Sequence, residues 1–263
     1  MGLKRLGKGL LPLLLIACAW ELLPRAEVVD PVLLPPLSEV MARGGELASS
    51  GVLVRHALAS LRRVLLGFSL AAGVAIPLGI ALGLSPSLED YVDLTLQLLR
   101  PLSPPAWIPL AILWFGIGDP PAVFIIFVGT VFAMLVGTLA AARGVDKRLV
   151  KAGFTLGAGR REAIRLVVIP CLLPALFAQL RVGLGLAWMC VIAAEMVAVH
   201  RGIGFMMIEA RNLFRTEDVL LGMMAVGAMG LGFDFLLRQV EGRILRWRKG
   251  VAAHELFEHQ RPA

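Results

Sequence analysis

The sequence predicts an all-α bundle of about six transmembrane helices, folded as a single membrane domain over residues 1–263, and three observations carry that prediction. Hydrophobic residues make up 58% of the chain, charged residues only 17%, and the mean hydropathy is +0.80. A soluble domain of that makeup would expose large apolar patches. The Lys and Arg behind the net charge of +7 gather in short stretches beside apolar spans, which is the pattern of membrane orientation and not of nucleic-acid binding. Finally, Gly and Ala recur every four residues along two of the spans, giving smooth faces on which helices approach closely. No polar stretch is long enough for a separate soluble domain.

Taken in order, the chain opens with basic MGLKRLGKG and an apolar run, LLPLLLIACAWELL. An uncleaved first helix with Lys4, Arg5 and Lys8 inside is expected. A cleaved signal peptide is the alternative, since Leu15 to Cys18 resembles part of a lipoprotein cleavage box, but cleavage would delete a span. Gly2 to Gly9 imitates a phosphate-binding loop without its Ser or Thr and without a preceding strand. Residues 24–56 are proline-rich and less apolar, and are expected outside, with Ser38 capping a short amphipathic helix to about residue 48.

The second span is expected at about 64–84, with Gly67, Ala71, Ala75, Gly79 and Gly83 on one face. Residues 85–91 read as a short inner loop, followed by a third span at about 92–117. Pro101, Pro104, Pro105 and Pro109 cannot all sit in a regular helix, because each removes a donor and clashes with the preceding turn. Irregular backbone at membrane depth is tolerated only in protein or against a watery cavity, so this stretch is the first candidate for a solute pathway, with Arg100, Pro104, Trp107 and Trp114 nearby. Equally, Arg100 snorkels to the inner surface and the tryptophans mark interfaces. A fourth span, about 120–142, repeats the small-residue series in Gly129, Ala133, Gly137 and Ala141.

Between residues 144 and 170 lies the densest basic loop, with Lys147, Arg148, Lys151, Arg160, Arg161 and Arg165, and Arg143 just before it. Its charges place it in the cytoplasm. Asp146 is expected to cap a short helix whose Leu149, Ala152, Gly153 and Leu156 share a face, and Gly157 to end it with positive φ. After Ala158, a second helix starts near Gly159 to Arg161 and carries Ala163, Ile164, Val167 and Val168 as far as Pro170.

The fifth span, about 171–199, holds Gln179, Arg181, Trp188 and Glu195. Counted from its start, Arg181 falls roughly 15 Å in, near mid-bilayer, where a lone charge costs several kcal/mol. It either helps a negatively charged solute through, with Gln179 beside it, or forms a buried ion pair with Asp234 or with an acid of a partner subunit. Glu195 is expected to anchor the following outer loop. Residues 200–216, with Gly202, Gly204, Phe205 and Asn212, suit a surface met by another protein, a gate or a re-entrant turn. A sixth span at about 217–237 carries Ala228 and Gly232 and ends in Arg238, Arg243, Arg246, Arg248 and Lys249, which hold the polar tail inside. The core spans are thus 57–240 and the cytoplasmic tail 241–263. Cys18, Cys171 and Cys190 lack a CxxC spacing and read as small core residues, with neither disulfide nor metal.

The helix, Gly turn, helix and proline pattern of 144–170 resembles the coupling loop of ATP-binding cassette importer permeases. That loop reads Glu-Ala-Ala, three residues, Gly, nine residues, Ile, one residue, Leu-Pro; here the register gives Lys151, Ala152, Gly153, then Gly157, then Val167, Ile169 and Pro170. Lys151 reverses the family's acidic charge, and Gly153 replaces its second Ala. More narrowly, ILWFGIG (112–118), LGLAW (184–188), AAEM (193–196), GIGFMM (202–207) and ARNLFRT (210–216) resemble the nitrate, sulfonate, taurine and bicarbonate branch.

The resemblance implies the type I ABC importer permease fold in the cell inner membrane with both termini cytoplasmic, and a homodimer. It also implies two cytoplasmic ATPase subunits, which bind the ATP and Mg, and an external solute-binding protein. On this reading Asp146, Leu149, Lys151, Ala152, Gly153, Leu156, Gly157, Ala158 and Arg160 couple to the ATPase. Arg100, Pro104, Trp107, Gln179, Arg181 and Trp188 line the solute path, and Gly202, Gly204, Phe205 and Asn212 meet the binding protein.

No Walker motif or HExxH is present, and His56, His200, His254 and His259 are dispersed, so no catalysis, cofactor or metal is expected of the chain itself. An ion-coupled secondary transporter would carry an inverted repeat and coupling-ion sites, neither of which is found. The solute is expected to be small and anionic, with a neutral solute as the alternative.

Overall fold

The computed structural model describes residues 3–246, which are mostly helical with no strand among them. The expected roles of Arg248, Lys249, His254, His259 and the rest of the tail fall outside the described residues, as do the side chains of Lys4, Arg5 and Lys8. The helices run α1 (Leu3–Arg25), α2 (Leu37–Ser49), α3 (Val52–Leu84), α4 (Pro86–Leu99), a 3-10 turn (Pro104–Trp107), α5 (Ile108–Phe115) and α6 (Asp119–Arg143). Then follow α7 (Lys147–Thr155), α8 (Arg160–Ala163), a π-turn (Ile164–Val168), α9 (Ile169–Ala198), α10 (Ile203–Asn212) and α11 (Thr216–Ile244).

Four helices among the described residues are long and apolar enough to cross a membrane: α3, α6, the unbroken run Arg160–Ala198, and α11. The six expected spans resolve into these four, the 23-residue α1, and a broken pair, α4 and α5. Three boundaries differ from expectation. Helix α3 begins at Val52, not near residue 64, because Gly51 turns the chain with φ 72° and no breaker follows until deep in the span. Residues 86–91, expected as loop, open α4, with Pro86 in the first turn where its fixed φ suits a helix and its missing donor costs nothing. Pro170 does not end a helix either. The π-turn just ahead of it, closed by Ile169 N–H onto the Ile164 carbonyl, widens the backbone where a proline ring would otherwise press on the preceding turn.

The chain divides into two compact units. The first takes residues up to Arg62 together with Ile192–Ala228. Within it Ser38 does not cap α2; Pro36 holds that position. Glu21 reaches over from α1 instead, accepting the Ser38 backbone N–H at 2.9 Å and its hydroxyl at 2.8 Å. Arg43 of α2 donates to Asp218 of α11 at 2.8 Å, and that carboxylate, with Glu46 beside it, raises the guanidinium pKa further above its ordinary value. Gly44 lies close enough to Leu221 that a Cβ there would stand 2.8 Å from its methyl, so α2 and α11 meet tightly.

The second unit takes Arg63–Val191 and the residues from Met229 on. The four-residue stripe of α3 lies on α6: a Cβ added at Gly79 would stand 2.7 Å from the Thr138 side chain and 2.9 Å from the Leu135 carbonyl, and Gly67 and Gly83 face Ile126 and Ala142 as closely. Ala71 and Ala75, on the same face, are fully buried with Val131, Met134 and Leu135. The opposite side of α6 receives α9, with Cys190 against Gly129, Gln179 against Gly137, and Gly183 under Met134. Helix α6 is therefore the central post of this unit. Cys190 is buried as expected, but Cys18 and Cys171 are exposed, since both lie on faces that carry no neighbour. Gly232 and Ala228 of α11 likewise have no close packing: Ala228 is exposed and nothing lies within 4 Å of a Cβ at Gly232.

A substitution pair checks the close approach of α3 and α6. Gly79→Val forces its side chain into backbone and Thr138 and is expected to cost about 1–3 kcal/mol and lower the unfolding midpoint in detergent. Gly73→Ala, with nothing within 4 Å, is expected to leave that midpoint unchanged or slightly raised in the same thermal scan.

Candidate functional site

The expected coupling segment is built by local chemistry. Asp146 caps α7 through its carboxylate, which accepts the Arg148 N–H at 2.8 Å. At the other end Gly157, with φ 88°, sits where the left-handed conformation closes two bonds: its N–H donates to the Phe154 carbonyl at 3.0 Å, and Ala158 N–H to the Gly153 carbonyl at 3.1 Å. This is a Schellman stop, and it fixes the turn rigidly. Gly159 then opens α8, with its N–H held by the Glu162 carboxylate at 2.8 Å. Gly159 has no side chain to complete that box.

One face of α7 is anchored and another is bare. Val145 and Val150 pack on Ala142, Val168, Leu172 and Leu176, while Gly153 lies against Val167. Leu149, Lys151 and Ala152 are exposed, Phe154 is half exposed, and Leu156 is 89% exposed. Arg160 is exposed as well. A short amphipathic helix stapled at both ends thus presents apolar and basic side chains outward with no neighbour in the chain.

The six expected pathway residues separate into two groups. Arg100 and Pro104 line a cleft of about 370 Å³ with Leu102, Phe132 and Val136, and with Gly129 and Gly137 of α6 as its floor. The Gln179 amide lies against Gly137. The helix break is real: α4 stops at Arg100, and the chain resumes as a 3-10 turn at Pro104. Trp107 faces away from this group in an edge contact with Phe124, ring centroids 6.2 Å apart. Trp114 also meets Phe124 edge-on at 5.8 Å.

Arg181 and Trp188 belong elsewhere, against α11. Trp188 is buried beside Phe233 at 6.1 Å, and its Nε1 has no partner. Arg181 pairs with Glu241 and lies 4.0 Å from Asp234, which Arg238 also holds at 2.7 Å. The acids sit at i and i+7 on one face of α11, so one guanidinium spans two turns. Asp234 was legible as a partner, but Glu241, sixty residues away in sequence, was not. The helix carrying Arg181 begins at Arg160, ahead of the expected start of the span.

The segment after α9 is fastened from inside. Glu195 is fully buried, and its carboxylate accepts from the Ser60 hydroxyl at 2.8 Å and from Gly204 N–H at 2.9 Å. Ser60 in turn accepts Ile203 N–H at 2.9 Å, so the free donors at the start of α10 are met by a hydroxyl and an acid. Gly202, with φ 136°, fits against Glu195 where no Cβ could stand, and its amide N and carbonyl O lie 3.1 and 2.9 Å from His56 Nδ1. His56 and His200 are not dispersed; both rings lie against Phe205.

Gly202 and Gly204 are buried, so they shape this turn instead of presenting themselves to a partner. The exposed part follows: Asn212, Leu213 and Phe214, the last 87% exposed with φ 55°, a left-handed conformation rarely adopted by an aromatic residue. Two further ion pairs were not foreseen, Arg63 with Asp119 at 2.6 Å and Arg143 with Glu89.

With this geometry in place, comparison with known proteins gives three results. Residues 75–246 match the family described as the binding-protein-dependent transport system inner membrane component. A protein of Methanocaldococcus jannaschii provisionally named an ABC transporter permease is 40% identical over 87% of this chain and 83% of its own length. The taurine transport system permease protein of Escherichia coli is 32% identical over 91% of this chain and 89% of its own. Among solved structures, the inward-facing MetNI methionine ABC transporter has a chain that superposes with a TM-score of 0.55 at 18% identity, over 74% of this chain and 94% of that one, which establishes the shared fold.

Two measurements check the charge contacts. Arg181→Gln strands Glu241 and is expected to cost about 1–2 kcal/mol, discounted from a fully buried pair because both groups are partly exposed, with much of the loss recovered by adding Glu241→Gln in a thermal double-mutant cycle. Glu195→Ala leaves the Gly204 N–H and the Ser60 hydroxyl without their acceptor and is expected to cost about 1–3 kcal/mol, with faster amide hydrogen exchange confined to the start of α10.

Proposed function

Because the chain belongs to the family of binding-protein-dependent transport inner-membrane components, and is a multi-pass membrane protein of the ABC importer permease fold, we propose that it carries a small anionic solute of the sulfonate class into the cell, driven by separate ATPase subunits. The observation that carries this reading is the bare face of α7: a helix capped at both ends, packed on one side by Val145 and Val150, and unpartnered at Leu149, Lys151, Ala152 and Leu156. A rigid, exposed, amphipathic handle beside apolar spans suits a groove on a soluble motor. The anionic solute is supported by the relative named for taurine, which carries a sulfonate.

In this assembly two copies of the permease pair, two ATPase subunits bind the ATP and Mg, and an external protein delivers the solute. The chain itself has no catalytic part. Both termini lie in the cytoplasm, as the basic residues around 143–165 and 238–246 require of short loops beside spans. Asp146, Gly153, Gly157, Ala158 and Arg160 build the handle, and Lys151 takes the place on its outer face where an acid is usual. On the outer side Asn212, Leu213 and Phe214 form the contact, held in place by Gly202, Gly204 and Phe205. Closure of the ATPase pair on ATP moves the two handles together and switches the spans between inward and outward access. Such a drive works only because the handle's contacts differ between the states; equal contacts would shift no equilibrium.

The first test is biochemical. The chain purified in mild detergent after co-expression with a candidate ATPase is expected to retain it at one to one, and the complex reconstituted with a binding protein to accumulate labelled taurine only when ATP is supplied on the ATPase side. Taurine uptake without nucleotide, or none with it, counts against the proposal. Secondly, Gly157→Pro, which removes the N–H that closes the turn and cannot adopt φ 88°, is expected to leave assembly intact while lowering uptake at least tenfold relative to ATP hydrolysis. Unchanged uptake in an assembled mutant rejects the role of the handle.

A further inference from the structure

Arginines in the membrane-spanning part of this chain are neutralised by carboxylates of the same unit: Arg181 by Glu241 and Asp234, Arg63 by Asp119. Arg100 is different. It stands at the C-terminal end of α4, just before the irregular residues 101–103 that separate this helix from the turn at Pro104. No carboxylate lies within ion-pair distance of it among the described residues, and its side chain is exposed to the cleft it lines. With no counter-ion among the described residues, its charge is met by water or by an anion that enters the cleft, and the negative end of the α4 dipole adds to the attraction without replacing an anion.

The cleft itself is shaped for one. Its volume of about 370 Å³ is in the range of small-molecule sites, roughly 300–1,000 Å³. Pro104, Phe132 and Val136 supply apolar walls for a short carbon chain, and Gly129 and Gly137 lie at its floor.

Resting on the anionic solute proposed above, we infer that Arg100, and not Arg181, is the residue that recognises the anionic headgroup in transit. Its guanidinium offers paired N–H donors that match a sulfonate or carboxylate, while the charge of Arg181 is already balanced by Glu241, with its Nε left without a hydrogen-bond partner. The last turn of α4 carries the guanidinium to the cleft, since Arg100 keeps helical dihedrals and bonds back to the Leu96 carbonyl.

The test uses the full complex of permease, ATPase and binding protein in proteoliposomes, with labelled taurine as probe. Arg100→Gln is expected to lower the uptake rate at least tenfold while ATP hydrolysis stimulated by loaded binding protein stays within twofold of the parent, and Arg100→Lys to recover at least a third of the lost rate. Taurine uptake at the parental rate by Arg100→Gln overturns this inference alone and leaves the proposed function standing. Joint loss of uptake and stimulated hydrolysis in both variants also overturns it, because it marks a structural role. If the parent complex moves a neutral solute and no taurine, the solute class above falls and this inference falls with it.

Discussion

Small residues on α3 and α6 set everything else in the larger unit. In a bilayer two apolar helices gain little from hiding from lipid, so association depends on how closely the backbones approach. Gly67, Gly79 and Gly83 of α3 let α6 come near enough that Ile126, Thr138 and Ala142 rest on bare backbone. On its other side α6 offers Gly129 and Gly137 to α9. The same two glycines form the floor of the Arg100 cleft, so the feature that packs the helices also leaves room between them.

Charge is managed by a second rule. Every buried acid found here has a specific donor: Glu195 has Ser60 and Gly204, Asp218 has Arg43, Glu89 has Arg143. These contacts join elements far apart in sequence and fasten helix ends that would otherwise leave free N–H groups in a dry place. Against that background an uncompensated Arg100 beside an open cleft stands out, because uniform pairing is what makes an exception informative.

The capped segment around α7 shows how little of its geometry depends on distant parts of the chain. Asp146 as cap, Gly157 at positive φ and the two bonds of the helix stop are decided within a dozen residues, so they were legible in full. The proline cluster was legible as a break for the same reason, since a missing donor and a fixed φ act locally. Less local matters misled. Ser38 has the right chemistry for a cap, but Glu21 of a different helix takes the hydrogen bonds. Cys171 has apolar neighbours in sequence and still lies on an open face, because sequence neighbours of a helix point in every direction.

The sequence by itself determined the membrane class, the small-residue faces of α3 and α6, the place where the third span breaks, and the capped loop that resembles the family's coupling segment. Periodicity, composition and backbone sterics act over one or two turns, so they can be read without coordinates. Only the tertiary structure decided which charges cancel: that Arg181 belongs to Glu241 and Asp234 on α11, that Glu195 secures α10 through Ser60, and that Arg100 opens on a cleft. Ion pairing depends on the distance between side chains from remote helices, and that distance exists only once the helices have packed.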